Sequence, residues 1–162
     1  MSCKSVSKDF SNVDTTIITE KYKTGEVKRI GSVETSSIST EIIRLGKSTE
    51  YYKNGQIKEV GNYENGDYNV CGIVGPISVP FVYKTGFWKY FYENGQLKAE
   101  GKFELKIKIG KDKCAGDSIF KSGKVTDKWM FFDKSGKIIE PSKQDIAFIE
   151  ERSFLTLPEI WD

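Results

Sequence analysis

Histidine is missing from all 162 residues of the chain. That gap removes imidazole acid–base catalysis, the usual Ser–His and Cys–His nucleophile pairs, and most catalytic zinc sites. Carboxylate chemistry survives it, but Glu100 and Asp117 stand in no recognisable motif, and a working carboxylate pair needs tuned surroundings that spacing does not announce. An enzyme is therefore not expected, and neither a cofactor nor a metal is implied. An excess of one charge is lacking too. Lys+Arg 25 against Asp+Glu 23 leaves +2, without the concentrated basic face of a nucleic-acid binder. No apolar run approaches the roughly 20 residues of a membrane-spanning helix, so no transmembrane span is expected.

Aromatic residues are plentiful: Phe 10, Tyr 8 and Trp 3 make up 13% of the chain. Such side chains favour half-buried sheet surfaces. The length fits one domain with a real core. Self-similarity organises it. Tyr22-Lys23-Thr24-Gly25-Glu26-Val27-Lys28-Arg29-Ile30-Gly31, Tyr52-Lys53-Asn54-Gly55-Gln56-Ile57-Lys58-Glu59-Val60-Gly61 and Tyr92-Glu93-Asn94-Gly95-Gln96-Leu97-Lys98-Ala99-Glu100-Gly101 align without gaps as Tyr-x-x-Gly-x-apolar-Lys-x-x-Gly. A looser fourth copy runs from Trp129 to Ile138, with one extra residue in its turn and no second glycine.

Glycine between two runs of aromatic and β-branched residues marks a tight hairpin, since it takes positive φ without steric cost. The second glycine leaves room for an aromatic ring to cross it. A lone hairpin is marginal in water, so the copies must stack. The expected fold is mainly β: an elongated, twisted antiparallel β-meander of stacked hairpins, with a short C-terminal helix or tail. One repeat domain over 1–162 is expected, with repeats near 19–34, 49–66, 86–104 and 127–140 and a cap over 141–162. Two inserts break the rhythm. Asp67 to Gly86 reads as a long strand pair or an apolar loop; Lys106 to Asp127 reads as further strands. Ser142 is a candidate N-cap for a helix presenting Ile146, Ile149 and Ser153 on one side, and Trp161 beside Pro158 is expected to tuck back onto the sheet.

The stretches from Gly86 to Phe103 and from Tyr51 to Tyr63 resemble the bacterial MORN-repeat variant, the type found in proteins called the antitoxin component of a toxin–antitoxin system (YwqK-like). The resemblance touches about half of the chain when all copies are taken together. It implies an open β-meander and a binding role, often as an antitoxin or immunity protein that contacts a toxic effector. It transfers no active site, because the motif is structural. The expected partner is a protein, a toxin or effector. Tyr68, Val79, Phe81 and Tyr83, outside the repeat pattern, are the candidate contact residues, since apolar patches and aromatics mark interfaces. The alternative is that this insert simply completes the sheet core.

Cys3, Cys71 and Cys114 form no C-x-x-C pair, and three unrelated thiols is one reading. The other starts from Met1-Ser2-Cys3-Lys4-Ser5, which resembles the end of a bacterial lipoprotein signal whose hydrophobic part has been removed. Cys3 is then the lipidated residue, Cys71 and Cys114 are candidates for a disulfide in an oxidising compartment, and the protein belongs to the cell envelope or periplasm as a structural or scaffold component. Without such a signal it is expected in the cytoplasm. Lys102, Lys106, Lys108, Lys111 and Lys113 could meet an anionic lipid surface. Lysines alternating along an edge strand are more simply a guard against aggregation.

Overall fold

The computed structural model describes residues 15–35, 42–112, 114–151 and 153–156. Cys3, the candidate lipidation site, Lys113, and Pro158 and Trp161 of the tail lie outside them. Eight strands follow one another in space: β1 (Thr15–Lys21), β2 (Val27–Thr35), β3 (Ile42–Tyr51), β4 (Ile57–Cys71), β5 (Pro76–Phe91), β6 (Leu97–Lys102), β9 (Met130–Phe132) and β10 (Ile138–Ile139). All pair antiparallel. Two more strands, β7 (Glu104–Asp112) and β8 (Gly116–Lys124), leave this sheet and pair only with each other. The helix α1 (Lys143–Glu151) and a short strand β11 (Phe154–Thr156), paired with β5, complete the described fold. The sheet is an open meander.

Each repeat folds by the same local device. The tyrosine N–H donates to the carbonyl four residues on, and the glycine N–H returns to the tyrosine carbonyl, in the turns at Tyr22, Tyr52 and Tyr92. The turn glycines Gly25, Gly55 and Gly95 have φ of 102°, 83° and 84°, where a side chain would be strained. Asp133–Gly136 makes the same two hydrogen bonds, with Gly136 at 86°. The fourth turn thus has no extra residue, and Asp133 simply stands where the others carry tyrosine. Immediately after each of the first three turns the register skips one residue: Glu20 faces Arg29 but Lys21 faces Val27, and the same slip recurs at Glu50/Tyr51 and Tyr90/Phe91. The repeated lysines Lys28, Lys58 and Lys98 are therefore bulge residues, which add twist to the ribbon.

The repeated tyrosine clamps one copy to the next. Tyr22 Oη donates to the Tyr51 carbonyl at 2.7 Å, Tyr52 to Phe91 at 2.8 Å and Tyr92 to Phe132 at 2.9 Å. Asn54 and Asn94 reach across to the Glu93 and Lys134 carbonyls in parallel. At the fourth turn the Asp133 carboxylate instead accepts from Ser135 and Lys137 of its own loop, so among the described residues the ladder has no onward link there. Replacing Tyr92 by phenylalanine keeps the ring and removes one clamp. It should cost about 1 kcal/mol, read as a lower denaturant midpoint at unchanged slope.

The inner face of the sheet changes character along the ribbon. In the second and third copies the spacing glycines Gly61 and Gly101 lie under the indoles of Trp88 and Trp129, where a methyl group would overlap the ring. In the first copy Ser48 takes the position of those tryptophans, and Gly31 meets the Arg29 guanidinium and Ser48. The aromatic crossing expected at every copy is therefore replaced there by a polar one. Arg29 is buried and its Nη2 donates to Glu20 at 2.6 Å. Burial alone would raise the Glu20 carboxyl, but the bond and charge of Arg29, with Arg44 behind it, hold it below the ordinary value.

At the other end α1 covers the sheet. Ser142 Oγ accepts from the Asp145 N–H at 3.2 Å and the Asp145 carboxylate accepts from the Ser142 N–H at 3.0 Å, a reciprocal cap. Ile149 is buried in the core with Trp88, Tyr90, Phe103, Trp129 and Phe131, and Ile146 and Phe148 pack against them. Ser153, also buried, donates from its hydroxyl to the Gly123 carbonyl.

Candidate functional site

The insert from Asp67 to Gly86 is a strand pair. β3 accompanies β4 only as far as Tyr63, and β6 accompanies β5 only from Phe87 onward. Beyond those points β4 and β5 pair with each other through to Cys71 and Pro76, so the hairpin projects past the repeat ladder. The second insert supplies β7 and β8. These strands do not extend the meander. They fold against the projecting hairpin and form a two-hairpin arm. Phe120 of β8 lies 5.0 Å from the Tyr68 ring and 5.9 Å from Phe81. The Asn69 N–H donates to Ser118 Oγ at 2.9 Å. At the far end Cys71 and Cys114 are joined in a disulfide, their Cα atoms 5.7 Å apart.

The root of the arm holds a buried ion pair. Lys84 is almost wholly enclosed, and its Nζ donates to Glu59 Oε1 at 2.7 Å and to the Tyr90 hydroxyl at 3.2 Å. The ammonium also sits 4.1 Å from the centre of the Trp88 ring, a cation–π contact that gains strength out of water. Burial raises the neighbouring Tyr63 phenol well above its usual range, and the Glu59 charge adds to this.

The four residues expected to meet a partner are placed unequally. Phe81 and Tyr83 are buried, at 1% and 2% exposure. Phe81 crosses Gly66, its cross-strand neighbour, beneath Phe120. Tyr68 and Val79, also cross-strand neighbours, are half-buried. The insert thus supplies core for the arm, and the two innermost aromatics are out of reach of a partner while the arm is closed. Tyr83 Oη donates to Glu64 at 2.7 Å. Burial first, then this bond to a carboxylate, push its phenol up to about 12. Because the folded value lies above the unfolded value of 10.0, the stability tied to it is complete below that pH and declines as pH rises towards 12. Phenolate absorbance should show Tyr83 titrating late along with the buried Tyr63, and Glu64→Gln should bring the Tyr83 component down.

Sequence reasoning missed the surface that is exposed. Ile73 and Val74 at the β4–β5 turn are fully exposed, and Ile77 follows them. On the second hairpin Leu105, Ile107, Ile109 and Ile119 are 49–62% exposed. The alternation Leu105–Lys106–Ile107–Lys108–Ile109 carried the signal, but sequence alone does not reveal that no other layer of the described residues covers the aliphatic side. Glu100 and Asp117 are not brought together: Glu100 in β6 pairs with Lys89 at 3.0 Å, and Asp117 in β8 stands opposite Lys111 of β7.

A family model described as MORN repeat variant matches residues 44–65 and 84–104. Two stretches of the chain are MORN-variant repeats. Repeats of this kind are generally protein- or membrane-binding and non-catalytic. No curated protein and no solved structure matches the chain. The two matched stretches are the β3–β4 and β5–β6 ladders around the second and third turns. Residues 66–83, the outer part of the first hairpin, fall in the gap between them, and β7 and β8 follow the second match.

Proposed function

We propose that this chain is a non-catalytic, protein-binding MORN-variant protein that neutralises a toxic effector by direct contact, as an immunity or antitoxin protein, with the two-hairpin arm as its contact surface. One observation carries the assignment to the arm. Seven of the fourteen large hydrophobic side chains exposed among the described residues are Ile73, Val74, Ile77, Leu105, Ile107, Ile109 and Ile119, all on the arm. Apolar surface concentrated in this way marks an interaction site. The resemblance to antitoxin components supplies the kind of partner.

The test is co-expression with the product of the adjacent gene. The native chain should rescue growth and co-purify with that product in fixed stoichiometry. Ile107→Lys together with Ile119→Lys should weaken the complex by roughly a hundredfold, the scale of losing two buried aliphatic contacts, while leaving the thermal midpoint unchanged. Rescue by the variant equal to that of the native chain would count against the arm. A second reading, a cell-envelope lipoprotein anchored through Cys3, is favoured by the Cys71–Cys114 bond, because such bonds persist in oxidising compartments. An apolar segment encoded ahead of Ser2 would support it. The two readings are compatible.

A further inference from the structure

We propose that β7 is a receiving edge for an extended, acidic segment of a protein partner in which carboxylate and apolar side chains alternate. The proposal rests on the reading that the arm binds a protein and specifies what that protein must present. β7 pairs on one side with β8 over its whole length, from Glu104 opposite Lys124 to Asp112 opposite Gly116. Among the described residues no strand pairs with its other side.

Its two faces differ. On one, Lys106 and Lys108 lie in register with Ser122 and Phe120. With Lys121 they wall an open groove of about 510 Å³ whose lining includes the Tyr68 and Phe120 rings, with Glu150 as its one carboxylate among the described residues. On the other face Leu105, Ile107 and Ile109 stand exposed. An incoming strand has the same two-residue repeat as β7, roughly 7 Å between side chains on one face. Carboxylates two residues apart on that strand therefore fall beside Lys106 and Lys108. The residues between them fall beside Leu105, Ile107 and Ile109. Main-chain hydrogen bonds would supply affinity, and the alternation would supply specificity.

Two other accounts of this edge are weaker. Lysines that only guard an edge against aggregation do not explain three exposed aliphatics in alternation with them. A second copy pairing β7 to β7 would set lysine against lysine, and like charges directly opposite are destabilising.

The probe is a capped, dye-labelled hexapeptide alternating glutamate with valine, compared with the same peptide carrying lysine in place of glutamate. Fluorescence anisotropy with the oxidised full-length chain should show binding of the acidic peptide only, weakening as salt rises. Lys106→Glu with Lys108→Glu should reduce that binding at least tenfold, on the order of what paired interfacial charges contribute, and should create affinity for the lysine peptide. Both positions are exposed, so the thermal midpoint should not move. Equal binding of both peptides, binding of neither, or a β7-dependent dimer in sedimentation would overturn the proposal. Acidic-peptide binding without neutralisation of the neighbouring gene product would sink the immunity reading and leave this inference standing. Neutralisation undiminished by the charge reversal would do the opposite.

Discussion

Trp88→Ala should lower the stability of the chain by about 3–5 kcal/mol, the cost of emptying a large, close-packed aromatic site. Trp88 is 1% exposed. Its Nε1–H is shared between the Asn62 and Thr85 carbonyls at 3.2 and 3.0 Å. Its ring meets Tyr63 edge-on and stacks on Tyr90, and Lys84 sits over it. Removing it opens a cavity, leaves the Asn62 and Thr85 carbonyls without that donor and strips a buried cation of its nearest aromatic neighbour together. The cause can be isolated with Gly61. Gly61→Ala in the native background forces a methyl group into the indole and should be strongly destabilising, because overpacking a tight core costs on the order of 1–3 kcal/mol. In the Trp88→Ala background the same change should be nearly neutral. A double-mutant cycle that came out additive would show that the ring and the glycine are not coupled.

Reduction, or Cys71→Ser with Cys114→Ser, should cost about 4 kcal/mol, the loop-closure value for a link of this span. The bond joins positions 43 residues apart. The loss should fall mainly on the arm. There the two hairpins are held together by the Tyr68, Phe81 and Phe120 rings and the Asn69–Ser118 hydrogen bond. The repeat ladder has its own tyrosine clamps and should persist. Denaturant melts of the reduced chain followed by tryptophan fluorescence, which reads Trp88 and Trp129 in the ladder, and by hydrodynamic radius should separate, where those of the oxidised chain coincide. A single coincident transition of unchanged midpoint would show that the bond contributes nothing.

The hairpins were legible because everything that makes them is local. A glycine at positive φ, the runs on either side and the alternation of Trp88 and Tyr90 against Phe87 and Lys89 lie within a dozen residues. The position of the spacing glycine announced a ring crossing, and Trp88 and Trp129 provide it. The first copy departs because the position of that ring is occupied by Ser48, which lies four residues ahead of the aligned segment that begins at Tyr52 and so outside the motif. The tyrosine clamp was hidden for another reason. Its acceptors are backbone carbonyls 29 to 40 residues away, and carbonyls leave no mark in a sequence.

The arm was half legible. Alternating lysine and isoleucine gave strands over the second insert, but alternation does not say which neighbour a strand takes. Nothing local distinguishes β7 and β8 extending the meander from β7 and β8 leaving it. The same ambiguity misplaced Phe81 and Tyr83. They look like surface anchors until Phe120, some forty residues later, comes to lie over Phe81. The buried pair of Glu59 and Lys84 has the same character: each is an ordinary charged residue until the fold closes the 25 positions between them.

Hydrogen–deuterium exchange, run on the oxidised and the reduced chain, bears most directly on whether the two inserts form one unit apart from the repeats. On reduction, amides in 64–85 and 104–124 should lose protection together, while those in 27–31, 57–61 and 97–101 keep theirs. Loss spread evenly over both sets, or confined to one insert, would contradict a stapled arm standing on an independent ladder.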